Sequence, residues 1–284
     1  ENAQENVYLE VPDLDVNSII ASNEVIHAEI DRSWKQQQDY IKENDSLNPD
    51  RNLFEEVDAE YEQFKRDAQK EVNYLVKEFE CKKAADAYAR ATTSKTGVLS
   101  TEKLHTYKFN EDLFKKISVV PDGKNHGLVM VVDWSGSMGR NIKGTIEQMM
   151  VLVMFAKRVN IPFEVFLFSD SYTSELMTAD GGRYTENEWT HKDNGKHGDI
   201  IVDKHHLLNV FSSRMRANEL HTAYINMTAI ANAYDRNYND YYSRSYRTVP
   251  SKMSLGGTPL NASLLSINSF IPEFKAKNSV QIVN

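Results

Sequence analysis

Two rhythms of apolar residues divide this chain. In the first ninety residues they recur every three or four positions. Ile19, Ile20, Ile26, Ile30 and Trp34 predict a helix over residues 16–42, and the polar stretch NDSLNPDRN at 44–52 breaks it. Val57, Tyr61, Phe64, Ala68, Val72, Leu75 and Phe79 mark one face of a longer helix over 53–90. Its other face carries Lys65, Arg66, Lys70, Lys77, Lys82 and Lys83 among acids. Such a helix is solvated on one side and packs its apolar stripe on its own domain or on a partner.

Beyond residue 116 the rhythm changes. Residues 91–116 connect the long helix to a central domain, and PDG at 121–123 makes a turn. Residues 128–132 are apolar without alternation, as in a strand covered on both faces of a parallel sheet. Ile142, Ile146, Met149, Val153 and Ala156 place a helix over 142–159; Pro162 punctuates, and 163–168 (FEVFLF) is a second buried strand. Strand, helix and strand in about forty residues form a βαβ unit with a right-handed crossover. The span 169–252 is polar and irregular, with a helical candidate over 207–233. It is too long for a simple loop and reads as an insertion. The pattern resumes at GGTPLNASLLSINSFI, where Thr258 suits a helix N-cap and Pro259 the first helical position. SVQIV supplies another strand. The fold class is therefore α/β: a doubly wound, mostly parallel sheet over 97–284, preceded by a helical region over 1–96 and carrying the insertion at about 169–252.

Composition narrows this only slightly. Forty per cent hydrophobic residues in 284 can fill a core, and a net charge of −8 argues against nucleic acid as a general electrostatic partner. One cysteine, Cys81, excludes an internal disulfide framework and suits a reducing compartment, so a cytoplasmic location is expected. No apolar run reaches membrane-spanning length. The chain begins at Glu1 rather than Met and stops while its last strand is still running, so it reads as a fragment at both ends.

The chemistry concentrates where the first buried strand ends. In VVDWSGSMGRN, Asp133, Ser135 and Ser137 stand at alternate positions, and Gly136 and Gly139 permit a tight backbone. Ligands of open parallel sheets bind outside the carboxyl ends of the strands. One carboxylate and two hydroxyls suit a hard cation such as Mg²⁺, or another divalent ion such as Mn²⁺. A polar strand-to-helix turn with a serine cap is the plainer alternative. Thr258, at another helix start, offers a further oxygen.

The D-x-S-G-S-M sequence between an apolar strand and an amphipathic helix, with Thr258 on a second loop, resembles the metal-ion-dependent adhesion site of the von Willebrand factor type A family. The resemblance implies that Asp133, Ser135 and Ser137 bind Mg²⁺ and that Thr258 adds a direct or water-mediated contact. The family also uses an aspartate on a third loop, expected here beyond Asn284. Asp170, ending FLFSD, is read as a loop acid that can neighbour the site. GVLSTEKL…FNEDLFKK ahead of DWSGSM, a long insertion and then GGTPLNASL are similar to the CobT branch of the family, over residues 97–284. That branch implies a non-ATPase subunit of a cobaltochelatase-like complex, partnered by a ring-forming AAA+ ATPase of the CobS or MoxR type. CobT-like chains also occur in large tailed phages, which would place this one in a host cytoplasm.

Other features weigh less. SKTG at 94–97 lacks the full phosphate-loop pattern. His191, His197, His205 and His206 show no zinc-type spacing and read as loop histidines. Tyrosines interleaved with Arg236, Arg244 and Arg247 at 234–247 could stack bases, but Asp235 and Asp240 dilute their charge, and packing or partner contact fits better. Neither serine has a local base or a G-x-S-x-G elbow, so no nucleophile is assigned. The reading is a metal-dependent binding module without catalysis of its own, whose cation an acidic side chain of a partner completes. A metal-dependent hydrolase of the peptidase kind is the rival, and it would need a base that the sequence does not offer.

Overall fold

The chain is seen in a computed structural model that describes residues 14–44, 52, 54–90, 92–103, 106, 108–109, 114–119, 125–170, 205–239 and 248–284. The elements run α1 (Val16–Ile19), β1 (Ile20–Ala21), α2 (Asn23–Asn44), α3 (Glu55–Arg90), β2 (Thr92–Leu99) and β3 (Phe114–Val119). They continue through β4 (His126–Asp133), α4 (Ile142–Arg158), β5 (Phe163–Ser169), β6 (His206–Ser212), α5 (Ala217–Asn239), α6 (Leu260–Asn278) and β7 (Ile282–Val283). This is an α/β architecture with a mixed, mostly parallel five-stranded sheet in the order β1-β6-β5-β4-β7.

Alternation along β5 explains how the sheet is covered twice. All seven of its residues are buried. Val165 and Leu167 join a core cluster with Ile146, Met149 and Val153 of α4 and Met227 and Ile230 of α5. Phe166 and Phe168 join the opposite cluster with Ile267, Phe270 and Phe274 of α6. Successive side chains point to opposite faces, so one strand nails two helical layers together. β4 pairs in parallel with β5 and with β7, whereas β6 runs antiparallel to β5. α4 ends where Asn160 takes a left-handed conformation (φ 55°), which asparagine tolerates better than most residues.

The long helix packs as its periodicity predicts. Val57, Tyr61, Ala68 and Val72 are buried, and Tyr61 stacks on Tyr224 of α5 at 5.6 Å between ring centroids. Phe79 meets Phe155 of α4 edge-on.

Three expectations are corrected. The helix over 16–42 is interrupted at Ile20–Ala21, which pairs in parallel with Leu207 and Leu208 of β6. The helix over 207–233 begins only at Ala217, because His206–Ser212 is a buried strand. β6 and α5 thus belong to the central sheet and its helical layer, although they lie within the span read as an insertion. Part of the connection over 91–116 is strand as well: β2 and β3 form a separate antiparallel pair. Residues 171–204 and 240–247 of the insertion, with His191, His197, Asp240, Arg244 and Arg247, lie outside the described residues, as does the turn at 121–123. No helix among the described residues is long and apolar enough to cross a membrane.

Candidate metal centre

β4 is the strand around which the order reverses, with β5 on one side and β7 on the other. In open α/β sheets this is where a crevice forms outside the carboxyl ends. Asp133 is the last residue of β4, paired in register with Phe168. By alternation it continues the Val129 and Val131 set, which packs toward α6. Trp134 goes the other way and is fully buried in the α4/α5 core.

Past Trp134 the chain turns through a short 3-10 turn, Gly136–Met138, into α4. The Ser135 and Ser137 hydroxyl oxygens lie 2.9 Å apart. Ser135 is buried and Ser137 exposed, so the pair spans the wall of the loop.

The loop before α6 is held against this turn by its backbone. Ser135 and Gly256 form a parallel bridge: the Gly136 N–H donates to the Gly256 carbonyl at 2.8 Å, and the Gly256 N–H donates to the Trp134 carbonyl at 3.2 Å. The Trp134 indole N–H donates to the Met253 carbonyl at 2.9 Å, and the Tyr234 hydroxyl donates to the same carbonyl at 2.8 Å. From the other side, the Asp170 carboxylate accepts the Gly257 N–H. A side chain at Gly257 would run into that carboxylate and push it aside.

Thr258 follows immediately and is exposed. Its hydroxyl makes no hydrogen bond among the described residues. The helix start differs from expectation by one position: α6 begins at Leu260 with Pro259 at the N-cap and no side-chain cap. The Thr258 oxygen is therefore not spent on capping. The structure thus joins the two serines directly and brings the Thr258 loop to them through Gly256.

Asp133 supplies the most pointed observation. Its Oδ1 is buried and has no hydrogen-bond partner among the described residues. A buried acceptor left unpaired costs about 1–3 kcal/mol, more if charged, so native structures rarely leave one without an ion or water. A carboxylate, two hydroxyls and the threonine are all oxygen donors, a chemistry that suits Mg²⁺ rather than a softer metal. Among the described residues, no three His, Cys, Asp or Glu side chains cluster to hold a metal.

Of the four histidines read as loop residues, His205 lies in the loop just before β6 and His206 in the strand itself. His205 is buried and its Nε2 lies 2.8 Å from the Ser266 hydroxyl of α6. His206 opens β6, and burial, with smaller contributions from His205 and Lys252, pulls its pKa down to about 4.

The sequence reading also passed over a buried acid at the other end of β5. Glu164 is 1 % exposed. It accepts from Asn209 at 2.8 Å, Ser212 at 2.9 Å and Arg214 at 3.1 Å. Burial pushes its carboxyl up, and those partners oppose the shift. The signal was available, because a lone glutamate inside FEVFLF must be either exposed at an edge or paired. Asp170 had a weaker signal, an acid one residue past a strand end, and only the fold reveals its hold on Gly257.

Comparison with protein-family models, with curated proteins and with solved structures finds no match.

Proposed function

We propose that this chain is a metal-ion-dependent protein-binding module. Asp133, Ser135, Ser137 and Thr258 would hold Mg²⁺ or a similar divalent cation such as Mn²⁺. The observation that carries the reading is the buried, unpartnered Asp133 Oδ1 at the carboxyl end of β4, followed two and four residues later by the Ser135 and Ser137 hydroxyls 2.9 Å apart. The bound ion supplies a coordination position for an acidic side chain of a partner. The residues of the chain do the rest: Trp134 and Gly256 hold the two loops together, and Asp170 fixes the backbone just before Thr258.

Within this class, the reading is a doubly wound domain of the von Willebrand factor A kind, in its CobT-like branch. Its partner would be a CobS- or MoxR-type AAA+ ATPase, and the complex would carry out ATP-driven metal chelation or remodelling. This rests on the resemblance of DWSGSM and GGTPLNASL. The strand order β6-β5-β4-β7, with β6 antiparallel to β5, matches the 3-2-1-4 start of dinucleotide-fold sheets and supports the doubly wound part of the reading alone. The test is capture of a purified CobS-like ATPase by this chain in Mg²⁺ and in chelator. Binding should require the metal and be lost with Asp133→Ala. Capture indifferent to both would remove the metal from the mechanism.

A further inference from the structure

Away from the metal centre, α3, α4 and α5 enclose a groove of about 800 Å³. Its floor is apolar, with Phe64 and Ala68 from α3 and Met150 and Val151 from α4. Its walls are acidic: Glu60, Asp67 and Glu71 on α3 face Glu147 on α4. Lys143 is the only cation among the described residues lining it, and it is already paired with Asp235 at 3.0 Å. Glu60 accepts from Asn232 and Asp67 from Gln63, both neutral amides. Glu71 and Glu147 have no ion pair among the described residues. Burial pushes the Glu147 carboxyl up, with Lys143 opposing and Asp235 adding to the shift.

Four carboxylates around an apolar floor are poorly arranged for a self-contained surface. Like charges repel, and the partly desolvated Glu147 is offset only by Lys143, which is itself paired with Asp235. The α3 lysines and arginine do not relieve this, because none of them lines the groove; Lys65, for one, pairs with Glu62 on the solvated face. The wall is also open at Gly144, where an added Cβ would meet nothing within 4 Å. A nucleic acid would be repelled by this charge. The complement is a segment with apolar residues on one side and cations beside them.

We propose that this groove docks a basic amphipathic helix of a partner protein. Its apolar residues would seat on Phe64, Ala68, Met150 and Val151, and its Lys or Arg side chains would pair with Asp67, Glu71 and Glu147. The proposal does not depend on the metal centre.

The test uses this chain and a fluorescent helical peptide of about eighteen residues built from leucine and lysine on opposite faces, with a glutamate-for-lysine counterpart. The lysine peptide should bind at least about tenfold more tightly than its counterpart, and more weakly as salt rises. Glu71→Gln with Glu147→Gln should weaken binding about tenfold. Glu62→Gln with Glu80→Gln, which changes net charge equally on exposed parts of α3, should not. Gly144→Leu should block the groove while leaving the circular dichroism and melting of the chain intact. Equal losses from the two charge-matched pairs, or binding untouched by Gly144→Leu, would mean attraction to net charge alone and overturn the proposal. Self-association abolished by Gly144→Leu would overturn it in favour of a second copy of the chain.

Discussion

Replacing Asp133 by alanine tests the metal reading through stability, without any partner. Asp133 contributes the only formal charge among the four proposed ligands, so its loss removes most of the attraction for a divalent ion. In the chain without metal its Oδ1 is buried with no partner among the described residues. Removing that acceptor relieves a cost of about 1–3 kcal/mol, part of which the small void left behind offsets. The metal-free variant should therefore melt at or above the wild type. A ligand that binds only the folded state stabilises it by RT ln(1 + [L]/Kd), about 2.7 kcal/mol at a hundredfold excess over Kd. For a domain of this size that is a rise of roughly 5–11 °C. Thermal melts with Mg²⁺ titrated against chelator should show this rise in the wild type and none in Asp133→Ala. Asp133→Asn, which keeps the volume and removes the charge, should behave like alanine toward metal. An equal metal-induced rise in wild type and both variants, or none in the wild type at millimolar Mg²⁺, would refute the assignment.

Two further outcomes are expected. The folded pKa of His206 is depressed to about 4 from 6.5, so its contribution is complete above pH 6.5 and is lost as pH falls toward 4. The full swing is roughly 3 kcal/mol, and His206→Asn should flatten chemical-denaturation stability measured between pH 7 and pH 4.5; an unchanged slope would show that His206 is not buried in its neutral form. Trp134→Phe removes the hydrogen bond to Met253 and part of a fully buried ring, so it should cost about 1–3 kcal/mol and weaken Mg²⁺ binding measured by calorimetry, while full metal affinity would show that the Met253–Thr258 loop does not depend on that anchor.

The sequence disclosed the parts of this fold whose signals are local. Residues 128–132 and 163–168 are uninterrupted apolar runs, and 142–159 has a clean helical stripe between them, so β4, α4 and β5 could be named with nearly correct limits. β6 was hidden because HLLNVFS is short, apolar and followed closely by a helical pattern, and periodicity cannot separate a buried strand from the first turns of a buried helix. β1 is two residues long and owes its existence to pairing with β6, a contact nearly two hundred residues away that no local window contains. The site divides in the same way. Asp133, Ser135 and Ser137 are adjacent in the chain and visible as a motif. The burial of Asp133 Oδ1, the hold of Asp170 on Gly257 and the Glu164 network are tertiary facts.

The alternate spacing of the three oxygen-bearing residues follows from what lies between them. Trp134, the even-numbered neighbour of Asp133, continues the Met130 and Val132 side of β4 into the α4/α5 core. Its indole N–H is fixed on Met253. Burying that ring commits the strand end to one facing, so Asp133 must turn toward the α6 side. Gly136 has no side chain to seat, and its N–H is taken by Gly256. Met138 packs against the same core as Trp134. Core side chains therefore occupy two of the three even positions and a backbone clamp occupies the third, leaving the odd positions to face away from that core. A slip of one residue would drive Asp133 into the α4/α5 core and turn Trp134 out of it, reversing both preferences at once. The same tryptophan that stabilises the domain thus orients the carboxylate, and the clamp that closes the turn brings the Thr258 loop against the turn. The proposed site and the core are in this sense one construction: the proposed ligands are the residues that the packing of their neighbours turns away from the α4/α5 core.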